Sequence, residues 1–241
     1  MLRNPSMHPV QQKRQHHPLD FWLARGAIVI TAVLNLLLIN SLTFLPWWLA
    51  PSLEIALLVP LSVATAWIQV RMRQATNENH WQSIHNHREL IRQAAFFLIA
   101  LITVINFQAL FSVLHALLYG AKGVDGRTLL IDALNIWLTN IVVFSLWFWN
   151  LDRGGPASRE IRSGQPADFM FPQMMRSSAG DEGWIPGFID YFFVSFTNAI
   201  AFSPTDTMPL STRVKLLFVF ESTASMLTVG LVAARAVNIL A

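Results

Sequence analysis

Five long apolar blocks, at residues 21–44, 52–70, 94–119, 129–149 and 214–237, restrict this chain more than any other feature. A helix needs about 20 residues to cross a hydrocarbon core of roughly 30 Å, so each block is long enough to span a bilayer. Only helices and closed barrels satisfy their backbone polar groups in lipid, and blocks of this length and continuity select helices. Charged residues make up only 13% of the chain, too few to cover the surface of a water-soluble fold of 241 residues. The predicted fold class is therefore an all-α, polytopic integral membrane protein. A shorter apolar stretch at 188–202 makes the count five or six transmembrane helices, because its length suits a re-entrant or half-buried segment as well as a span.

Organisation follows from the blocks. Residues 1–20 are polar and carry prolines, and read as a disordered cytoplasmic tail. The block behind them is too long for a signal-peptide core and lacks a small-residue cleavage site. Residues 21–150 form a four-helix transmembrane region. A Gly- and Pro-rich polar loop follows at 151–186, and the last unit is 187–241. Trp22, Trp47, Trp48, Trp147, Trp149 and Trp184 lie at or near block ends, where an indole can keep its ring in lipid and its N–H among headgroups. Between the second and third blocks, residues 75–92 carry Trp81, Ile84 and Ile91 on an otherwise polar background, a pattern that suits a short interfacial helix.

The net charge is +3, but the Lys and Arg are spread over loops, which argues against nucleic acid as a partner and for membrane orientation. With a cytoplasmic N-terminus and six spans, only Lys122, Arg127, Arg213 and Lys215 of the 17 basic residues fall outside. Loops rich in Lys and Arg stay cytoplasmic, so this orientation is favoured, in an inner or plasma membrane.

The chain has no cysteine, which excludes disulfides, thiolate metal sites and nucleophilic Cys chemistry. His80 and His87 share a helical face but lie two turns apart, and zinc needs three or four convergent ligands, so no metal is expected. No GxSxG, HExxH, P-loop or GxGxxG motif occurs, and neither enzymatic activity nor a cofactor is expected.

Polar residues inside the blocks fall into stripes. Thr128, Asp132, Asn135 and Thr139 follow helical spacing on the fourth block. Glu221, Ser225, Thr228 and Arg235 do so on the last, and Gln108, Ser112 and His115 on the third. Such stripes face protein or water. Asp132, Asn135, Glu221 and His115 are the intramembrane polar candidates, serving either an ion or proton path or interhelical hydrogen bonding.

From Asp190 onward about fifty residues carry a further pattern. Ser195 and Phe196 end a short helix, Asp206 follows a turn, and Pro209, Ser211, Lys215, Glu221, Val232, Ala233 and Arg235 come after it at fixed intervals. In order and spacing this segment resembles the pore domain of the potassium-channel superfamily. The resemblance implies a pore helix, a selectivity segment and an inner helix, assembled as a homo-oligomer, typically a tetramer, that passes inorganic ions.

The filter itself departs from the family. Ala201, Phe202, Ser203, Pro204 and Thr205 stand where the family has TVGYG. A ring of backbone carbonyls needs glycine's freedom at positive φ, and proline fixes φ near −65°. Potassium selectivity is therefore not expected, and selection would fall to the side chains of Asn198, Ser203, Thr205 and Asp206, with Pro204 shaping the turn. The alternative is a non-conducting membrane scaffold or sensor in which residues 203–206 simply cap the last helix.

Overall fold

The computed structural model describes residues 18–37, 52, 78–119, 126–156, 166–175, 184–203 and 206–240. The second apolar block, apart from Ser52, lies outside the described residues. So do residues 1–17, Trp47, Trp48, Pro204, Thr205 and the side chains of His80 and His87.

Five helices of eight or more residues carry the described architecture. They are α1 (Pro18–Leu37), α2 (Glu78–Tyr119), α3 (Gly126–Leu151), α5 (Phe188–Ala201) and α6 (Thr212–Leu240). α1 opens on a proline, whose preset φ and missing N–H suit a first helical turn, so the helix takes in the last three residues of the expected tail. α2 is one uninterrupted helix of 42 residues. At 1.5 Å per residue it is about 63 Å long, twice the hydrocarbon thickness. The expected separate interfacial helix is instead the first part of α2, because residues 78–92 contain no proline or glycine to break the helix.

Three helices are long and apolar enough to cross a membrane: Leu90–Tyr119, Arg127–Gly154 and Thr212–Ala233. The middle one is the hub. Of its most apolar stretch 72% is buried within the protein, against 39% and 33% for the other two. Its neighbours α1, α2, α5 and α6 surround it, and a helix enclosed in this way can carry polar groups on faces that never meet lipid.

The direction of packing can be read from side-chain pairs. α6 runs antiparallel to α3: Phe148 stacks on Phe218 at 4.9 Å, and Asn140 donates to Ser225 Oγ at 2.9 Å. α5 also runs antiparallel to α3, since Trp149 meets Phe188 at 5.8 Å and Ser195 donates to the Ile141 carbonyl at 2.7 Å. α5 and α6 therefore point the same way and begin at the same end of the bundle. The chain between them must come back to the end at which α5 began.

The return is fixed by a short extended pairing that interrupts the all-α expectation. β1 (Phe169–Met170) pairs antiparallel with β2 (Met208–Pro209), and the Leu210 N–H donates to the Asp168 carbonyl at 2.8 Å. Before β1, the 3-10 turn Asp152–Gly154 ends α3. Arg153, Gly154 and Gly155 all take positive φ there, and a Cβ on Gly155 would sit 3.0 Å from the Asn150 carbonyl oxygen. After β1, α4 (Pro172–Met175) is a single turn.

The expected polar loop is therefore partly core. Phe169 and Phe171 are buried, and Phe169 packs against Phe148, Tyr191 and Phe218. Nor do the tryptophans all sit as headgroup anchors. Trp22 is exposed, whereas Trp149 is buried against Phe188 and Trp184 packs on Phe171. Trp147 is half-buried and donates to Thr103 Oγ1 at 2.9 Å.

Candidate functional site

Two polar centres lie between α3, α5 and α6, one within the bundle and one at its end. The inner centre is built on Glu221, which is fully buried. Asn198 donates through Nδ2 to Glu221 Oε2 at 2.7 Å, and the Ser195 hydroxyl meets Glu221 Oε1. A hydroxyl carries one proton, so Ser195 shares it between Glu221 and the Ile141 carbonyl. Ser222 donates to Asn198 Oδ1 at 3.0 Å, which ties the other end of the same amide to α6.

α3 closes this centre. Asn140 donates to the Glu221 backbone carbonyl at 3.3 Å and to Ser225 Oγ at 2.9 Å. All these partners are neutral, and Ser195, Asn198, Asn140 and Ser225 are each no more than 1% exposed. Three helices are thus joined around Glu221 away from solvent, its carboxyl group holding α5 and its backbone carbonyl α3, where polar contacts between helices contribute about 0.6–2 kcal/mol each.

The outer centre sits where α3 ends and α5 and α6 begin. Asp152, fully buried, accepts from the Tyr191 hydroxyl at 2.5 Å and from the Asp168 N–H at 2.8 Å. Asp168 is held by Arg213 in a two-pronged pair, with Nε at 2.9 Å and Nη2 at 2.6 Å from its two oxygens. Burial alone would push the Asp168 carboxyl up. The hydrogen bonds and charge of Arg213, with the Arg153 N–H, outweigh it and hold the group below its usual range. Nearby, Asp190 accepts from the Gly187 N–H at 2.7 Å, placing a carboxylate in the first turn of α5 where the helix dipole favours it.

The residues singled out in the sequence separate into three groups. Asn198 and Glu221 meet in the inner centre. Ser203 and Asp206 lie exposed on the return, after Phe202 has turned the chain in the left-handed conformation at φ 55°. Of the filter-like side chains that are described, Asn198 is used inside the protomer while Ser203 and Asp206 face outward. Asp132 and Asn135 are buried on α3.

His115 does not join the others. It is exposed on α2 beside Tyr119, with ring centroids 4.7 Å apart. The buried polar residue of that helix is Asn106, which donates to the Ile136 carbonyl of α3 at 3.3 Å. Sequence reasoning missed Asn140, although it is adjacent to Thr139 on the α3 stripe. It also missed Asp152, Asp168 and Arg213, which no local pattern marks.

The fold and its buried polar centres define a helical membrane protein with three described helices fit to span. No family model matches the sequence, and no curated protein or solved structure is detectably similar to it.

Proposed function

We propose that this is a five-span membrane protein whose 188–211 unit is a re-entrant, channel-like element, and that copies of the chain assemble around it to pass ions without potassium selectivity. The observation that carries this reading is the shared direction of α5 and α6. A 14-residue helix enters the bundle, and after the return, extended at β2, a long helix starts from the same end. At about 21 Å, α5 is too short to span by itself.

Exposure of the return supports assembly. Phe202, Ser203, Asp206 and Met208 all lie open on the protomer. Irregular backbone at membrane depth is tolerated only against protein or water, so a second copy or a water-filled axis must cover this strand. Ser203 and Asp206 would then present a polar and acidic ring to passing cations. With a cytoplasmic N-terminus, which the Lys and Arg distribution favours, the re-entrant arrangement puts the shared end of α5 and α6 in the cytoplasm and the C-terminus outside.

Cation flux is expected from the purified protein in liposomes, with little preference between sodium and potassium, and Asp206→Ala should lower it several-fold. Absence of flux under every gradient, voltage and pH would replace this reading with a non-conducting scaffold or sensor. Flux indifferent to Asp206→Ala would take the return out of the path. Orientation has its own check, because the chain lacks cysteine. A thiol reagent should reach Ala241→Cys only from outside and Ser158→Cys only from inside. Labelling of both from one side would contradict the re-entrant topology.

A further inference from the structure

The buried polar face of α3 carries oxygens that no described residue uses. Asp132 Oδ2, Asn135 Oδ1, Thr139 Oγ1 and Asn140 Oδ1 are buried and have no hydrogen-bond partner among the described residues. Asp132 is 3% exposed and Asn135 5%. A buried acceptor left unsatisfied costs about 1–3 kcal/mol, and more when the group is charged. Four on one helix are too costly to leave without a donor or a cation.

Spacing decides which of them act together. Asp132 and Asn135 are three residues apart on one face, an axial separation of about 4.5 Å. That is within the span of a single oxygen-coordinated ion; calcium, for comparison, holds its ligands at roughly 2.3–2.6 Å. Thr139 is a further turn along, and Asn140 already gives its Nδ2 to the inner centre. A carboxylate joined by amide and hydroxyl oxygens is a hard-donor set without imidazole or thiolate, which suits a small hard cation rather than zinc or copper.

We propose that Asp132 and Asn135, with Thr139 beside them, bind one monovalent cation, an alkali ion or a proton, on this buried face of α3. Among the described side chains no positive charge faces this stripe; the one basic residue of α6 near its level, Arg235, has its side chain outside the described residues. α2 carries no charged residue between Arg92 and His115, and His115 is exposed. Of the groups on the other neighbours, Glu221 of α6 belongs to the inner centre, while Arg25 of α1 and Asp190 of α5 lie toward the outer end. On α3 itself, Arg127 is exposed near the helix start. The site is separate from the return segment, so it stands or falls independently of ion conduction.

Binding to the folded state alone raises its stability by RT ln(1 + L/Kd), with L the free ion concentration, which gives a readout that needs no transport. Thermal unfolding of the full chain in detergent would be followed in lithium, sodium, potassium or choline chloride at constant ionic strength, and in choline across a pH series. The midpoint is expected to rise with one alkali ion, or with protons in choline. That dependence should vanish in Asp132→Asn and survive in Glu221→Gln. Asn135→Ala should raise the half-saturating concentration about tenfold, which keeps the proposal testable if Asp132→Asn fails to fold. A midpoint indifferent to both ion identity and pH would overturn it, leaving water on these oxygens. So would a dependence unchanged in either the Asp132 or the Asn135 variant.

Discussion

Glu221→Ala is expected to lower the stability of the folded chain by about 2–5 kcal/mol, the range for truncating a fully buried side chain to alanine. The change opens a cavity where α3, α5 and α6 meet and removes the acceptor for Asn198 and Ser195. Each of those residues keeps a second partner, Phe218 O for Asn198 and Ile141 O for Ser195, so the cavity dominates the loss. Glu221→Gln keeps the volume, and its amide can accept from Asn198 and donate to Ser195, so its loss should stay within about 1 kcal/mol. Thermal or denaturant unfolding in one detergent measures both. If the two variants were equally mild, Glu221 would not be what holds the three helices together.

Truncation of Phe169 should cost as much, about 3–5 kcal/mol, although the residue lies in a segment that reads as loop. It is fully buried, with centroids at 5.4 Å from Phe148 and 5.6 Å from Tyr191, both edge-on. Such aromatic pairs add about 0.5–1.5 kcal/mol beyond area burial. Its loss would also loosen β1, and with it the pairing that holds the return segment to the end of the bundle. Phe193→Ala is the comparison: it sits in the middle of an apolar helix but is 50% exposed, so the effect in detergent should be below about 1 kcal/mol. Equal losses for the two would mean that the 166–171 segment is not packed as described.

These two phenylalanines show the limit of hydropathy as a guide. A window average places Phe193 in an apolar helix and Phe169 in a polar loop, yet the second is core and the first faces outward. Hydropathy reports the medium a segment can enter, and burial within the protein depends on which elements surround it. The same limit applies to the stripes. Helical spacing put Asp132 and Asn135 on one face and Glu221 with Ser225 and Thr228 on another, and all of them are buried. Spacing could not show that on α2 Gln108 and Ser112 would be only half-buried and His115 exposed, with Asn106 turned toward α3 instead.

Block length and charge were enough to establish a helical membrane protein, since the cost of unpaired backbone groups in lipid leaves so few structures to choose from. The order of Ser195, Asp206, Pro209 and Glu221 was enough to mark 188–211 as the unusual part of the chain. Tertiary structure decided the rest. It showed that α5 and α6 point the same way, that Asn198 belongs with Glu221 rather than with Asp206, and that Asp152, Asp168 and Arg213 meet although they are far apart in sequence. Direction and long-range pairing depend on how helices dock around α3, and that docking depends on all of their surfaces at once.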